Sequence, residues 1–116
     1  HVPKNGAVKM CEEAFRVLKS GGSFCLDTPN RLITKIHTKN VPQEFIHPEH
    51  FTEYEPTELQ NMLERAGFQI IRKLGICEMI ETASTGTFHY ADFAYGKRIS
   101  ENLDNCYIQY YHCTKP

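Results

Sequence analysis

Apolar residues recur at helical spacing in two stretches of the chain, and each stretch leads into a glycine and then a short run of strand-forming residues. In residues 6–19 the apolar positions lie one or three residues apart, which places them on one face of a helix. Asn5 precedes this helix and is expected to cap it. Gly21 and Gly22 are expected to end it, because glycine readily adopts the left-handed conformation of a C-cap. The residues that follow, 23–28, predict a short buried strand.

The second unit has the same order of helix, glycine and strand. Pro56 and Thr57 begin a helix whose apolar residues share one face, Gly67 ends it, and residues 68–77 are rich in strand formers. A last strand is predicted for residues 107–114. A helix, a glycine turn and a short buried strand make up half of a βαβ unit, so the pattern predicts a mixed α/β fold.

The segments between these units are less regular. Residues 31–38 predict a brief helix that Asn30 caps, and residues 39–54 predict an ordered loop with two prolines and two histidines. Residues 82–87 are small and polar and predict a second loop. Residues 89–97 are rich in aromatic side chains and predict either a packed helix or a lid over a binding site.

Composition limits the classes of protein that remain. The 116 residues are 41% hydrophobic and 23% charged, which suits one packed domain and argues against global disorder. Thirteen basic residues stand against fourteen acidic ones, and the net charge of -1 argues against nucleic-acid binding. No apolar run approaches the roughly 20 residues of a membrane-spanning helix, and no signal-peptide pattern opens the chain. A cytoplasmic location without membrane association is therefore expected.

Five cysteines are present, and no two of them have the C-x-x-C spacing typical of zinc or thioredoxin-like sites. Three of them lie in apolar stretches: Cys11, Cys25 and Cys77. The pattern favours reduced, packed cysteines in a cytoplasmic protein.

Two sets of motifs follow one another along the chain. The first set is His-Val-Pro at residues 1–3, Arg-Val-Leu-Lys-Ser-Gly-Gly at 16–22 and Thr-Pro-Asn-Arg at 28–31. The second set is His-Pro-Glu-His-Phe at residues 47–51, Thr-Glu-Leu at 57–59 and Ala-Gly-Phe at 66–68. In this order and spacing they resemble the C-terminal half of a class I S-adenosylmethionine-dependent methyltransferase, in the branch that modifies small molecules, quinone precursors and sugars. The resemblance extends over about two-thirds of the chain.

The resemblance implies a Rossmann-like α/β fold with a seven-stranded, mostly parallel sheet. Residues 23–28, 68–77 and 107–114 would be its fifth, sixth and seventh strands, with the seventh inserted antiparallel between the other two. Residues 1–116 would then form the acceptor-side half of the methyltransferase domain. An unrelated α/β domain is the alternative, and it predicts that these strands are not neighbours in this order.

The resemblance also implies S-adenosylmethionine as cofactor, but no cofactor-binding residue is expected within this chain. In the family the cofactor lies on a glycine-rich turn after the first strand, and none of the seven glycines forms such a loop after a predicted strand. The cofactor-binding half is therefore expected upstream, and this chain alone is expected to be inactive. Without a fourth strand, the edge of residues 23–28 would be unpaired and would favour self-association.

Asn30 and Arg31 directly follow the first predicted strand, at the edge of the sheet where ligands of open α/β folds bind. Both are candidate substrate-binding residues, and Arg31 suits an anionic acceptor. The alternative is that Asn30 only caps the next helix and that Arg31 is solvated.

The loop that contains His47 and His50 resembles the family segment that borders the acceptor site. Both histidines are candidate catalytic residues, since an imidazole is a base near neutral pH. A metal site is not expected, because the His-x-x-His interval contains a proline and is not helical. Phe51 and Tyr54 are candidate substrate-binding walls of the pocket. A purely structural loop, anchored by the same aromatic residues, is the alternative.

Two functions remain open. The first is part of an S-adenosylmethionine-dependent methyltransferase that acts on a small-molecule acceptor. The second is a non-catalytic, methyltransferase-like interaction module whose exposed strand edge captures a strand of another chain. A glycine-rich loop after an acidic strand end in the upstream sequence would support the enzyme.

Overall fold

The computed structural model describes residues 4–40 and 53–116. Five α-helices and four strands, with two short 3-10 turns, make up this part of the chain. In chain order they are α1 (Lys4–Val17), β1 (Ser23–Pro29), α2 (Arg31–His37), α3 (Pro56–Ala66), β2 (Gln69–Glu78), α4 (Ile80–Thr85), α5 (Ala91–Tyr95), β3 (Ile99–Ser100) and β4 (Cys106–Thr114).

The four strands form one sheet in the order β1-β4-β2-β3. The last strand, β4, pairs antiparallel with β1 on one side and with β2 on the other. Its residue Tyr111 lies opposite Leu26 of β1 and Lys73 of β2. Since both neighbours run antiparallel to β4, they are parallel to each other. The predicted insertion of the last strand between the two earlier ones is confirmed, and the alternative of a different strand order is wrong.

The main core lies between one face of this sheet and helices α1 and α3, which contact each other. Leu63 of α3 and Cys11 of α1 are almost completely buried against Tyr111 and Cys113 of β4. The side chain of Lys115 donates to the carbonyls of Phe15 and Leu18 at 2.7 and 2.8 Å, and it thereby satisfies carbonyls at the end of α1.

A second, smaller core lies at the carboxyl ends of β1 and β2. Ile33 of α2 packs there with Cys77 and Met79, and the partly buried rings of Phe88, Phe93 and Tyr107 surround them. This core joins α2, the segment 80–95 and the start of β4 into one layer above the edge of the sheet.

Two local predictions are wrong. Helix α1 already includes Asn5, so Asn5 is not its N-cap. Residues 80–85 form helix α4 where a loop was predicted for 82–87. The reason is tertiary: the buried carboxylate of Asp92 accepts from both the backbone N–H (2.9 Å) and the hydroxyl (2.8 Å) of Thr82. This distant residue supplies the capping partner that the local sequence lacks.

None of the helices in residues 4–40 and 53–116 is long and apolar enough to cross a membrane. All five cysteines are free. Four of them are buried, whereas Cys25, which was predicted to be packed, is exposed because it lies on β1 with its side chain away from the core.

Candidate functional site

The candidate site lies where β1 and β2 end and β4 begins, because β4 runs antiparallel to both. Ligands of open α/β sheets bind at this edge. Helix α2 starts directly after β1, and its residues Arg31, Thr34 and His37 are each three positions apart. They therefore follow one another along one side of the helix.

Asn30 ties the elements of this edge together. Its side chain is completely buried, and its amide nitrogen donates to the carbonyls of Leu103, Asp104 and Cys106 at 2.9–3.1 Å. Its side-chain oxygen accepts from the N–H of Leu32 at 2.9 Å and caps α2, as predicted. All of these bonds lie within the protein, so the structure gives Asn30 the role of positioning α2 against the start of β4.

Arg31 lies at the polar end of the site. Its side chain is 21% exposed, and its guanidinium lies 3.5 Å from a carboxylate oxygen of Glu53, whose side chain is only 2% exposed. The hydroxyl of Thr34 donates to the same oxygen at 2.7 Å. The Arg31 side chain is thus held in place from inside the protein, while a fifth of its surface stays accessible to an anionic group.

Tyr54 is buried beside Arg31, and its carbonyl accepts from the backbone N–H of Arg31 at 3.0 Å. The same carbonyl accepts from the amide of Gln109 at 2.8 Å. The hydroxyl of Tyr111 donates in turn to Gln109, and burial raises the pKa of Tyr111 to about 12. These bonds to its backbone carbonyl anchor the segment at Tyr54 to β4. Whether the aromatic ring of Tyr54 also forms a wall of the pocket stays a prediction.

The other end of the site is aromatic. The ring of His37 stacks on Phe88 with centroids 4.0 Å apart and an interplanar angle of 15°. Its two nitrogens face two phenols: Nε2 lies 3.2 Å from the hydroxyl of Tyr90, and Nδ1 lies 3.5 Å from that of Tyr107. Phe93 completes the group, with its ring 5.2 Å from that of Tyr107. We call His37, Phe88, Tyr90, Phe93 and Tyr107 the His37 cluster.

Burial favours the uncharged forms of His37 and Tyr107, and it therefore shifts their pKa values in opposite directions. Desolvation lowers the pKa of His37, because the imidazolium is the charged form. Desolvation also raises the pKa of Tyr107 to about 12, and the nearby carboxylate of Glu53 adds to this effect. At neutral pH the cluster therefore presents a neutral imidazole and an intact phenol.

We expect an NMR titration of the His37 ring to give a pKa below the ordinary value of about 6.5. The unfolded chain then binds the proton more tightly than the folded one. The stabilisation from neutral His37 is thus present above about pH 6.5 and lost as the pH falls through the lowered native pKa.

A Phe88→Leu variant should move the pKa of His37 back toward 6.5, because it admits water to the ring. Tyr95→Leu, at a residue 87% exposed and outside the cluster, should leave it unchanged. A wild-type pKa above 6.5 would contradict the burial of this ring.

Arg98 and Asp92 hold the segment that carries Phe88 and Tyr90. The guanidinium of Arg98 donates to the carbonyls of Phe93 and Gly96 at 2.7 and 3.0 Å, at the end of α5. The carboxylate of Asp92 binds Thr82, whose hydroxyl also accepts from the N–H of His89 at 3.0 Å. The aromatic segment is therefore packed and hydrogen-bonded in place beside the candidate site.

The predicted site residues are only partly within the described chain. Asn30, Arg31 and Tyr54 lie together at the carboxyl edge, whereas His47, His50 and Phe51 fall outside the described residues. The sequence interpretation missed His37 and Glu53. The three-residue spacing from Arg31 to His37 was a usable signal for His37, but nothing in the sequence pairs Glu53 with Arg31 and Thr34.

Two grooves lie away from this edge. One, of about 430 Å³, is on the face of the sheet opposite α1 and α3 and is lined by Arg72, Leu74, Ile76, Ile99, Tyr110 and His112. The other, of about 630 Å³, lies between α3 and the first residues of β2. In the described ranges, no group of three or more His, Cys, Asp or Glu side chains is arranged to hold a metal ion.

The glycines with left-handed backbone do not fit a nucleotide cradle. Gly21, Gly67 and Gly86 have φ values of 86°, 111° and 72°, and each follows a helix rather than a strand. In a dinucleotide-binding turn the glycine loop lies between a strand and the next helix, so that backbone N–H groups face the ligand. None of these three glycines therefore forms a turn of that kind, and the absence of cofactor-binding residues from this chain stays a prediction.

Comparisons with known proteins agree in sequence and in fold. No protein-family model matches the chain. Over 64 residues the chain is 42% identical to a probable S-adenosylmethionine-dependent methyltransferase of Mycolicibacterium smegmatis, in a match that covers 55% of this chain and 23% of that protein.

The fold is similar to the crystal structure of a S-adenosylmethionine-dependent methyltransferase from Thermotoga maritima, described as a possible histamine N-methyltransferase. The TM-score is 0.66 at 15% identity, and the match covers 94% of this chain and 48% of that one. The chain thus spans about a quarter of the curated relative and about half of the solved neighbour. The proteins that it resembles use S-adenosylmethionine, and the resemblance of this chain to the class I S-adenosylmethionine-dependent methyltransferases is confirmed.

Proposed function

We propose that this chain forms the acceptor-binding side of an S-adenosylmethionine-dependent methyltransferase that acts on a small molecule. The single observation that carries the proposal is the row of polar and aromatic groups along α2, from Arg31 to His37, at the carboxyl edge of the sheet. This is the edge where open α/β sheets bind their ligands.

The proposed reaction requires few chemical roles of these residues. S-adenosylmethionine carries an already activated methyl group, so a methyltransferase contributes mainly proximity and alignment. A base is needed only when the acceptor must lose a proton. His47 and His50 remain our candidates for that base, with Phe51 and Tyr54 as walls, and the neutral imidazole of His37 is a further one.

The two ends of the row suit different parts of an acceptor. Arg31, fixed by Glu53 and Thr34, is placed to bind an anionic group, while the His37 cluster offers ring surfaces. Asn30 contributes indirectly, because its buried amide holds α2 in place.

A non-catalytic interaction module is the second candidate function. In the part of the chain that the structure describes, the β1 edge away from β4 makes one isolated bridge, between Asn30 and Tyr54, and no strand ladder. An unpaired edge is a template for a strand of another chain or of a second copy. This candidate predicts association without methyl transfer.

The test is methyl transfer from labelled S-adenosylmethionine to a panel of small-molecule acceptors, with the longest polypeptide that the gene encodes. We expect turnover, and we expect Arg31→Met to lower kcat/KM about tenfold for acidic acceptors, mainly through KM. Arg65→Met, at an exposed arginine in the last turn of α3, is the matched control and should have no effect.

Calorimetric titration with S-adenosylhomocysteine separates the two candidate functions. Binding by the full gene product supports the enzyme. Absence of both binding and turnover would overturn the proposal and favour the interaction module. Tight binding by the 116-residue chain alone would show that its residues do form a cofactor site.

A further inference from the structure

Aromatic side chains from three separate elements meet around His37. Phe88 and Tyr90 come from the segment between α4 and α5, Tyr107 comes from the start of β4, and His37 itself ends α2. The ring of Tyr90 meets those of His37 and Phe88 edge to face, at centroid distances of 5.6 and 4.8 Å. Below them lie Ile33 and Met79, which are almost completely buried.

From this arrangement we propose that the His37 cluster binds the methyl acceptor directly and selects one whose reacting part is a planar aromatic ring with a hydrogen-bonding substituent. The inference rests on the proposed function, and it adds the class of acceptor. It concerns binding by residues of this chain and needs no contact with the cofactor.

The selection of a planar ring follows from the exposure of Tyr90. Tyr90 stays 67% exposed although its hydroxyl is hydrogen-bonded to His37. An aromatic ring that is fixed at its tip and open over most of its surface loses little conformational freedom when a ligand packs on it. Ring pairs in offset-stacked or edge-to-face contact gain stabilisation beyond the area that they bury, and an aliphatic ring of equal size does not.

The hydrogen-bonding substituent follows from the polar atoms of the cluster. A neutral imidazole has one donor and one acceptor nitrogen, and each phenol both donates and accepts. The row Tyr107–His37–Tyr90 therefore forms a continuous chain of hydrogen bonds that ends at the exposed tyrosine. The hydroxyl of Tyr90 retains capacity for one more partner, which a hydroxyl or amino group of the ligand supplies.

Charge around the cluster favours an uncharged ring rather than an acid. The carboxylate of Glu53 lies near Tyr107, as its effect on the pKa of that phenol shows. The ammonium of Lys39 donates to the carbonyl of Gly86 at 3.2 Å. The guanidinium of Arg31 lies toward Glu53, at the opposite end of the α2 row. An anionic substituent of the acceptor would thus point toward Arg31, and the ring toward His37.

The test uses p-cresol as the probe and 4-methylcyclohexanol as its non-planar counterpart, without cofactor. Each is titrated into the 116-residue chain while the ring protons of His37 are followed by NMR. We expect saturable shifts with p-cresol. We expect 4-methylcyclohexanol to bind at least about fivefold more weakly than p-cresol. Equal affinity for the two probes, or shifts that leave His37 unaffected, would overturn the proposal.

Two variants of Tyr90 distinguish the ring from the hydroxyl. Tyr90→Leu should weaken p-cresol binding about fivefold, because the ring contact is lost. Tyr90→Phe keeps the ring contact but should weaken p-cresol binding about twofold to fivefold, because the hydrogen bond is lost. Tyr95→Leu, at a more exposed tyrosine of α5, is the matched control and should bind as the wild type does. Full affinity in Tyr90→Leu would contradict the proposal.

Failure of this inference is distinguishable from failure of the proposed function. If methyl transfer by the full gene product is observed while the p-cresol titration gives no shift at His37, the acceptor class is wrong and the enzyme assignment stands. If p-cresol binds at His37 but no methyl transfer or cofactor binding is found, the ring site stands and the enzyme assignment fails.

Discussion

Replacing Asn30 with alanine is expected to lower the free energy of unfolding by about 3–5 kcal/mol. The buried amide of Asn30 is the shared donor to the carbonyls of Leu103, Asp104 and Cys106, and its oxygen caps α2. Removing the side chain leaves these groups without that partner in a place where the wild-type side chain is 0% exposed. Urea unfolding followed by circular dichroism measures the change.

Asn30→Asp separates capping from the three carbonyl contacts. Aspartate still caps α2, because a carboxylate oxygen accepts from the N–H of Leu32 as well as an amide oxygen does. Its second oxygen, however, would face three carbonyl oxygens and has no proton to donate. We therefore expect Asn30→Asp to be at least as destabilising as Asn30→Ala. Near-normal stability of the aspartate variant would show that capping is the main role of this residue.

Asn102→Ala is the matched control for both variants. Asn102 is exposed and lies next to the residues whose carbonyls Asn30 binds. Its backbone N–H donates to the hydroxyl of Ser100, a bond that alanine would keep. We expect a change within about 0.5 kcal/mol, as at ordinary surface positions.

Gly96→Ala is the second variant with a large expected effect, a loss of about 3 kcal/mol or more in the free energy of unfolding. A Cβ atom at Gly96 would lie 2.0 Å from the carbonyl oxygen of Glu78 and 2.7 Å from that of Asp92. Both obstacles are backbone atoms, so the clash is relieved only if the end of β2 or helix α5 moves. Thermal or urea unfolding measures the loss.

The backbone movement that Gly96→Ala causes should also affect the candidate site. Arg98 donates to the carbonyls of Phe93 and Gly96, and the N–H of Cys77 at the end of β2 donates to Arg98. Gly96→Ala should therefore change the NMR shifts of Phe93 and Tyr107 in the His37 cluster as well as the stability.

Gly86→Ala is the control that separates steric overlap from backbone strain. Gly86 has a left-handed backbone with φ of 72°, but no atom lies within 4 Å of a Cβ built there. We expect it to lose only about 1 kcal/mol, the typical effect of placing alanine in this conformation. Equal losses for the two glycine variants would contradict the steric argument for Gly96.

Local sequence predicted most of the elements, because their signals are carried by neighbouring residues. The apolar face of α3 with Pro56 at its start and Gly67 at its end, where φ is 111°, is such a case. The capping of α2 by Asn30 is another, since the cap binds the N–H only two residues away. The motif order also predicted the antiparallel insertion of β4, which is confirmed. It predicted a resemblance to S-adenosylmethionine-dependent methyltransferases, which the sequence and fold comparisons support.

Helix α4 shows where local signals fail. Residues 82–87 are small and polar, yet Thr82 is helical because the carboxylate of Asp92, ten residues away, binds its backbone and hydroxyl. The same holds for Cys77, whose φ of 63° within β2 is supported by the bond from its N–H to the carbonyl of Arg98. Contacts between residues far apart in sequence override local preference there.

The sequence by itself indicated that the candidate site lies at the carboxyl edge of the sheet. The tertiary structure decided which side chains meet there. Asn30 and Arg31 were predicted from their place after a strand, because strand ends at one edge of an α/β sheet meet there. The carboxylate of Glu53 reaches Arg31 and Thr34 across 22 and 19 residues, and Tyr107 reaches His37 across 70. No local pattern specifies such pairs, because packing α2 and the segment 80–95 over the end of β4 is what brings them into contact.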